Sequence, residues 1–189
     1  MEAAERILIE RGYAQTTIED MCAAAGYTRG AFYSSFGSKQ DLVLALFDRY
    51  SAHRLDQLEG LLDDAAPGTA HRIARAFLEV DPADRSWILL FLEFRLDAAR
   101  NAKLSAQLHE HDRAVAASLA QLLERAQAVE PGAGAVSFHS LASVLLAARE
   151  GVLARTASEG PGGQETLTAA VDVFAEVLPA LFPALDGAR

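Results

Sequence analysis

The sequence predicts an all-α protein. A small N-terminal three-helix domain of helix-turn-helix type is joined by a long fourth helix to a larger C-terminal helical domain. Three observations carry the all-α expectation. Apolar residues recur at helical spacing between proline and glycine breaks; no stretch alternates with period two; and no pair of alternating runs flanks an Asn-Gly or Asp-Gly turn. About nine helices are expected, over 2–12, 17–24, 28–34, 38–62, 69–80, 82–99, 102–127, 136–158 and 164–182.

Several starts have a chemical reason. Thr16 with Glu19, or Thr17 with Asp20, caps the second helix; Thr28 caps the third; Ser38 with Asp41 caps the fourth. Asp81-Pro82 opens the sixth with a capping carboxylate and a proline at its first position. Breaks fall at Pro67-Gly68, at 131–134 and at 160–163. Helix four, Ser38 to about Leu62, would be about 36 Å long. Its buried stripe is Leu42, Leu46, Phe47, Tyr50, Leu55, Leu58 and Leu62.

The chain is acidic, with a formal charge of −9 over 189 residues, which argues against adhesion to polyanions by the whole surface. One window departs from that balance. From Gly26 to Gln40 there are two cations, Arg29 and Lys39, and no carboxylate. The segment Thr17 to Gly37 reads as helix, tight turn, helix, with Gly26 taking the positive φ that ends the first of the pair. Ile18, Met21 and Cys22 form an apolar face on one helix, and Ala31, Phe32 and Phe36 anchor the other. Thr28, Arg29, Tyr33, Ser34 and Ser35 are left pointing outward, with Lys39 just beyond. In such a unit the second helix enters the DNA major groove, and each of these side chains donates hydrogen bonds without repelling phosphate.

Motifs in order make this specific. Gly12-Tyr13, Thr16-Thr17, Ala25-Gly26, Gly30/Tyr33/Phe36 and Ser38-Lys39 follow one another at fixed separations. That run resembles the DNA-binding domain of the TetR family of bacterial transcriptional regulators, over roughly the first quarter of the chain. The resemblance implies that Thr17, Tyr33 and Lys39 grip phosphates of a double-stranded operator. Thr28, Arg29 and Ser34 would make base or backbone contacts, and Ser35 stands where many members have His. It also implies domains at 1–46, for DNA binding, and 47–189, for effector binding and dimerisation. Family members open helix one several residues earlier, often behind a basic arm. The start Met1-Glu2-Ala3-Ala4 is therefore expected to reflect either an absent arm or a truncated beginning.

Trp87, Phe91 and Phe94 share one helical face at i, i+4 and i+7, and Phe77 could join them. The residues leave core and ligand pocket equally open; the resemblance tips toward a small-molecule cavity, with Arg95, His109 and His139 as its polar candidates. Small and apolar residues on the last two helices suit an isologous homodimer interface: Leu141, Leu145, Ala148, Gly151, Val152, Leu167, Val171, Phe174 and Leu178.

No catalytic constellation emerges. His109 and His111 lie about 200° apart on a helix and cannot share a metal. Neither a phosphate-cradling glycine loop nor a nucleophile motif is present. Cys22, the single cysteine, reads as a buried thiol and excludes an intramolecular disulfide. The longest intense apolar run, Trp87 to Leu92, is too short to cross a bilayer. The expectation is a cytoplasmic, ligand-responsive repressor with no enzymatic activity, cofactor, metal or membrane. The alternative is a helical dimeric interaction protein that keeps the fold without specific operator binding.

Overall fold

The computed structural model describes residues 1–63, 68–79, 85–127, 137–158, 168–169, 171–173 and 176–177. Eight α-helices are defined among them: α1 (Glu2–Arg11), α2 (Ile18–Ala25), α3 (Arg29–Ser35), α4 (Lys39–Glu59), α5 (Thr69–Leu78), α6 (Arg85–Ala98), α7 (Ala102–Gln127) and α8 (Phe138–Ser158). A single 3₁₀ turn, Gly60–Leu62, follows α4. The expected ninth helix is represented by helical residues 168–169, 171–173 and 176–177. The Asp81-Pro82 cap and the breaks at 131–134 and 160–163 lie outside the described residues.

Local chemistry accounts for the helix boundaries near the N-terminus. Of the two candidate caps for α2, Thr17 is the one used: its hydroxyl accepts from Asp20 N–H, and Asp20 accepts from Thr17 N–H at 2.9 Å. Thr16 instead turns inward, fully buried, and donates to the Gly12 carbonyl at 2.7 Å. Thr28 caps α3 by accepting from Ala31 N–H at 3.2 Å. Ser38 accepts from Asp41 N–H at 3.1 Å ahead of α4.

The chain divides into two units, Met1–Ser51 with Ala83–His111, and Ala52–Pro82 with Asp112–Arg189. α4 and α7 each contribute to both. A single boundary after residue 46 is the sequence expectation; in the structure α6 and the first turns of α7 group with the N-terminal helices.

The reason lies in the core of the first unit. Leu8, Met21, Cys22 and Phe32 of α1–α3 join Leu42, Val43, Leu46 and Phe47 of α4, and Leu90, Phe94, Leu104 and Leu108 of α6 and α7, in one apolar cluster. Three short helices bury too little apolar surface to stand alone comfortably, and α6 supplies the rest. In the second unit, α5 buries Ile73, Ala74, Phe77 and Leu78, while Leu119 and Leu123 of α7 and Leu141, Ala142 and Leu145 of α8 complete the core.

Candidate nucleic-acid interface

The α2–α3 pair is built to expose a polar surface. Gly26 ends α2 in the left-handed region (φ 69°, ψ 26°), which lets Tyr27 N–H return to the Cys22 carbonyl at 2.9 Å. The chain then enters α3, whose Phe32 is buried against the core while Phe36 packs on it partly covered. The opposite face carries Thr28, Arg29, Tyr33, Ser34 and Ser35, all exposed, and Thr17 is exposed on α2. Tyr33 is 48% exposed. Ser34 donates to the Ala31 carbonyl at 2.7 Å, leaving its oxygen as an acceptor.

Two features of this surface are not legible in the linear window. Glu19 of α2 reaches Arg29 at 2.5 Å, with the two side chains 55% and 60% exposed. The Arg29 guanidinium also lies over the Tyr33 ring at 6.0 Å. Its pKa is held above the ordinary value, first by the hydrogen bond to Tyr33 and then by the Glu19 charge. Tyr27, at 69% exposure, is a large aromatic on the same turn.

Lys39 is engaged within the protomer. Its ammonium donates to the carbonyls of Tyr13 at 2.8 Å and Thr16 at 3.0 Å, and sits 4.0 Å from the centre of the Tyr13 ring. Burial pushes its pKa down. Two of its three donors are spent on the α1–α2 turn, where it acts as a clamp.

The same turn is held from the other side by α6. Glu93 accepts from Tyr13 N–H at 2.6 Å and from Ala14 N–H at 3.3 Å, and Asp97 accepts from the Tyr13 hydroxyl at 2.9 Å. Burial, then the Asp97 hydrogen bond, pushes the phenol pKa well above its ordinary value. Gly12 makes the approach possible. Its φ of 82° and ψ of 162° are a glycine conformation, and a Cβ there would stand 2.9 Å from a Glu93 carboxylate oxygen. Glu93 and Asp97 lie about 80 residues from Tyr13, and no spacing rule connects them.

The expected effector residues fall in both units: Trp87, Phe91, Phe94, Arg95 and His109 in the first, Phe77 and His139 in the second. Phe94 is fully buried, edge-on to Tyr13 at 5.3 Å and to Phe47 at 5.2 Å, and is core. Phe91 and Trp87, partly buried, also pack on Phe47, and Trp87 stacks on Tyr50 at 5.1 Å. Arg95 lies over Phe91, one turn back, at 4.6 Å. Phe77 belongs to the second unit, buried beneath the Arg149 guanidinium. His109 and His139 are exposed. The histidine turned inward is His111, whose Nδ1 lies 2.6 Å from Asp48 and whose Nε2 lies 3.4 Å from Ser51. Helical phase foresaw that His109 and His111 diverge, without telling which one faces the core.

The interface candidates also separate. Leu141, Leu145 and Val171 are buried within the protomer and have no surface to offer a partner. Gly151 is exposed, Ala148 and Val152 are half-buried, and Leu167, Phe174 and Leu178 lie outside the described side chains. The outward stripe of α8 is instead Val144, Ala147, Gly151 and Ala154, at helical spacing, with Val173 and Val177 exposed further along the chain. Among the described residues no helix is long and apolar enough to cross a membrane, and no group of three or more His, Cys, Asp or Glu side chains is placed to hold a metal.

Residues 1–46 match the sequence profile of bacterial regulatory proteins of the tetR family, the segment that forms α1–α3 and the start of α4. A solved TetR-family transcriptional regulator from Pectobacterium atrosepticum superposes with a TM-score of 0.67 at 26% identity, covering 96% of this chain and 91% of that one. Over residues 1–46 the chain is thus similar to the TetR family, and its fold is similar to that of a solved member. Among curated relatives, the HTH-type transcriptional regulator TtgR of Pseudomonas putida is 39% identical over 112 residues, 58% of this chain and 47% of TtgR. The transcriptional repressor AcnR of Corynebacterium glutamicum is 29% identical over 134 residues, 67% of this chain and 65% of AcnR. The chain thus spans about half the length of TtgR. Its all-helical architecture, with an N-terminal helix-turn-helix and a helical C-terminal part, is that of the TetR family.

Proposed function

We propose that this chain is a homodimeric transcriptional regulator of the TetR family, acting in the cytoplasm as a repressor and released from a palindromic operator by a small apolar or aromatic effector. The observation that carries the reading is the exposed face of α3. Thr28, Arg29, Tyr33, Ser34 and Ser35 stand together on a capped helix whose other side is anchored by Phe32. Laid in a major groove, such a face offers hydroxyls and one guanidinium to base edges and phosphates. TtgR and AcnR, named as regulator and repressor, support the functional class.

Two recognition helices reading one palindrome require a second copy, and the α8 stripe of Val144, Ala147, Gly151 and Ala154 suits close helix approach between protomers. Effector and operator would oppose each other by linkage, each weakening the other by the same factor. The aromatic group of Trp87, Phe91, Phe47 and Tyr50 is the first place to look for the effector. No enzymatic step is assigned.

Selection of host genomic fragments retained by the protein tests the reading. Enrichment of a palindromic sequence, with affinity falling steeply as salt rises, supports it. Weak binding without sequence preference supports the second reading, a dimeric interaction protein. One observation favours that alternative: of the two cations in the carboxylate-free window, Lys39 is spent on backbone carbonyls and Arg29 on Glu19.

A further inference from the structure

The Glu19–Arg29 pair joins the two helices of the helix-turn-helix. Arg29 is the first residue of α3 and the only cation on its exposed face. Glu19 comes from α2 and is not needed there as a cap, because Asp20 completes the capping box with Thr17. Glu19 therefore places a carboxylate beside the one guanidinium that would meet DNA.

Resting on the DNA-binding reading above, we infer that Glu19 is a specificity-determining residue that holds Arg29 back from phosphates. The physical logic is competition. Non-specific DNA offers Arg29 a phosphate, an exchange of one anion for another that also leaves Glu19 unpaired near the polyanion. The contact to Glu19 is made through Nη1, so another edge of the Arg29 fork can still meet guanine O6 and N7 in a bidentate contact while the ion pair is kept. The internal pair thus weakens binding everywhere and weakens it least where the correct base is present. Selectivity gained by penalising the wrong partner is a general device of recognition.

The pair is exposed, so its effect is modest, and the double-mutant cycle isolates it. The probes are the genomic fragments retained by the wild-type dimer and a scrambled duplex of equal length and composition. Glu19→Gln is expected to tighten binding to the scrambled duplex about two- to five-fold and to the retained fragments by less, lowering the ratio between them. In the Arg29→Ala background the same change is expected to do nothing on either probe. Thermal unfolding of Glu19→Gln, close to wild type, would show that the variant is folded.

An equal gain with and without Arg29 would mean direct repulsion between Glu19 and phosphate, and would overturn the proposal. So would no gain at all, or an equal gain on both probes. If the wild-type protein retains no duplex, the DNA-binding reading itself falls and the proposal falls with it.

Discussion

The first three helices are joined by two turns that use similar residues for opposite ends. The α1–α2 turn carries Gly12, Tyr13 and Thr16, and is enclosed: Glu93 and Asp97 hold it from α6, and Lys39 from α4. The α2–α3 turn carries Gly26, Tyr27 and Thr28 and is open to solvent, with nothing within 4 Å of where a Gly26 Cβ would stand. Each has a glycine at positive φ, a tyrosine and a threonine. One turn fixes the frame on which α3 is mounted, and the other presents α3 outward. What separates them is which neighbours arrive from far along the chain.

Substitutions at the two glycines should separate the turns most clearly. Gly12→Ala is expected to be the most damaging change, at about 3 kcal/mol or more. The backbone conformation alone costs about 1–3 kcal/mol for a non-glycine residue, and the new Cβ meets the Glu93 carboxylate. Gly26→Ala, with open space around it, should lose only about 1–2 kcal/mol for left-handed backbone. Urea unfolding of both variants checks the order; equal losses would erase the distinction between an enclosed and an open turn.

Lys39→Ala should cost about 2–3 kcal/mol, because it removes two charge-assisted hydrogen bonds and strips the Tyr13 and Thr16 carbonyls of their donor. A change within a few tenths of a kcal/mol of wild type would instead mark Lys39 as a surface cation. Thr28→Ala removes the α3 cap and should cost about 1 kcal/mol while weakening duplex binding, since the helix it frays carries the recognition face. Arg29→Ala should leave stability nearly untouched and relax base preference in a fragment selection, because its side chain touches only exposed partners.

Acid should act on the same small unit. Hydrogen bonds from Thr17 hold the Asp20 carboxyl below its ordinary pKa. A lowered folded pKa means that the capping box contributes at pH above the unfolded carboxylate value and fades as pH falls through the folded one. The stability of Thr17→Ala should therefore depend less on pH in that acid range than that of wild type.

Local signals in the sequence reached the helix starts and the polar face of α3, because caps, glycine turns and apolar spacing act over a few residues. Thr28, Ser38 and Gly26 do what their neighbours in sequence require. The remainder depends on pairing across distance. Lys39 looks like a free cation in a window without carboxylates, yet the fold delivers Tyr13 and Thr16 to it and Glu19 to Arg29. Phe94 reads equally well as pocket lining and as core until Tyr13 and Phe47 close on it from both sides. Leu141 and Leu145 read as interface until α8 is seen to turn them inward and to leave Val144, Ala147 and Gly151 outward. Helical phase gives a stripe without saying which neighbour it meets.

The salt dependence of duplex binding by wild type and Lys39→Gln, measured on the same retained fragments at a temperature where both are folded, tests the division between frame and face most directly. Wild-type affinity should fall steeply with salt, with a log–log slope of about −0.9 per phosphate neutralised, and the variant should trace a parallel line. A slope flattened by about one unit in Lys39→Gln would return that lysine to the DNA and contradict the assignment of the α1–α2 turn to structure alone.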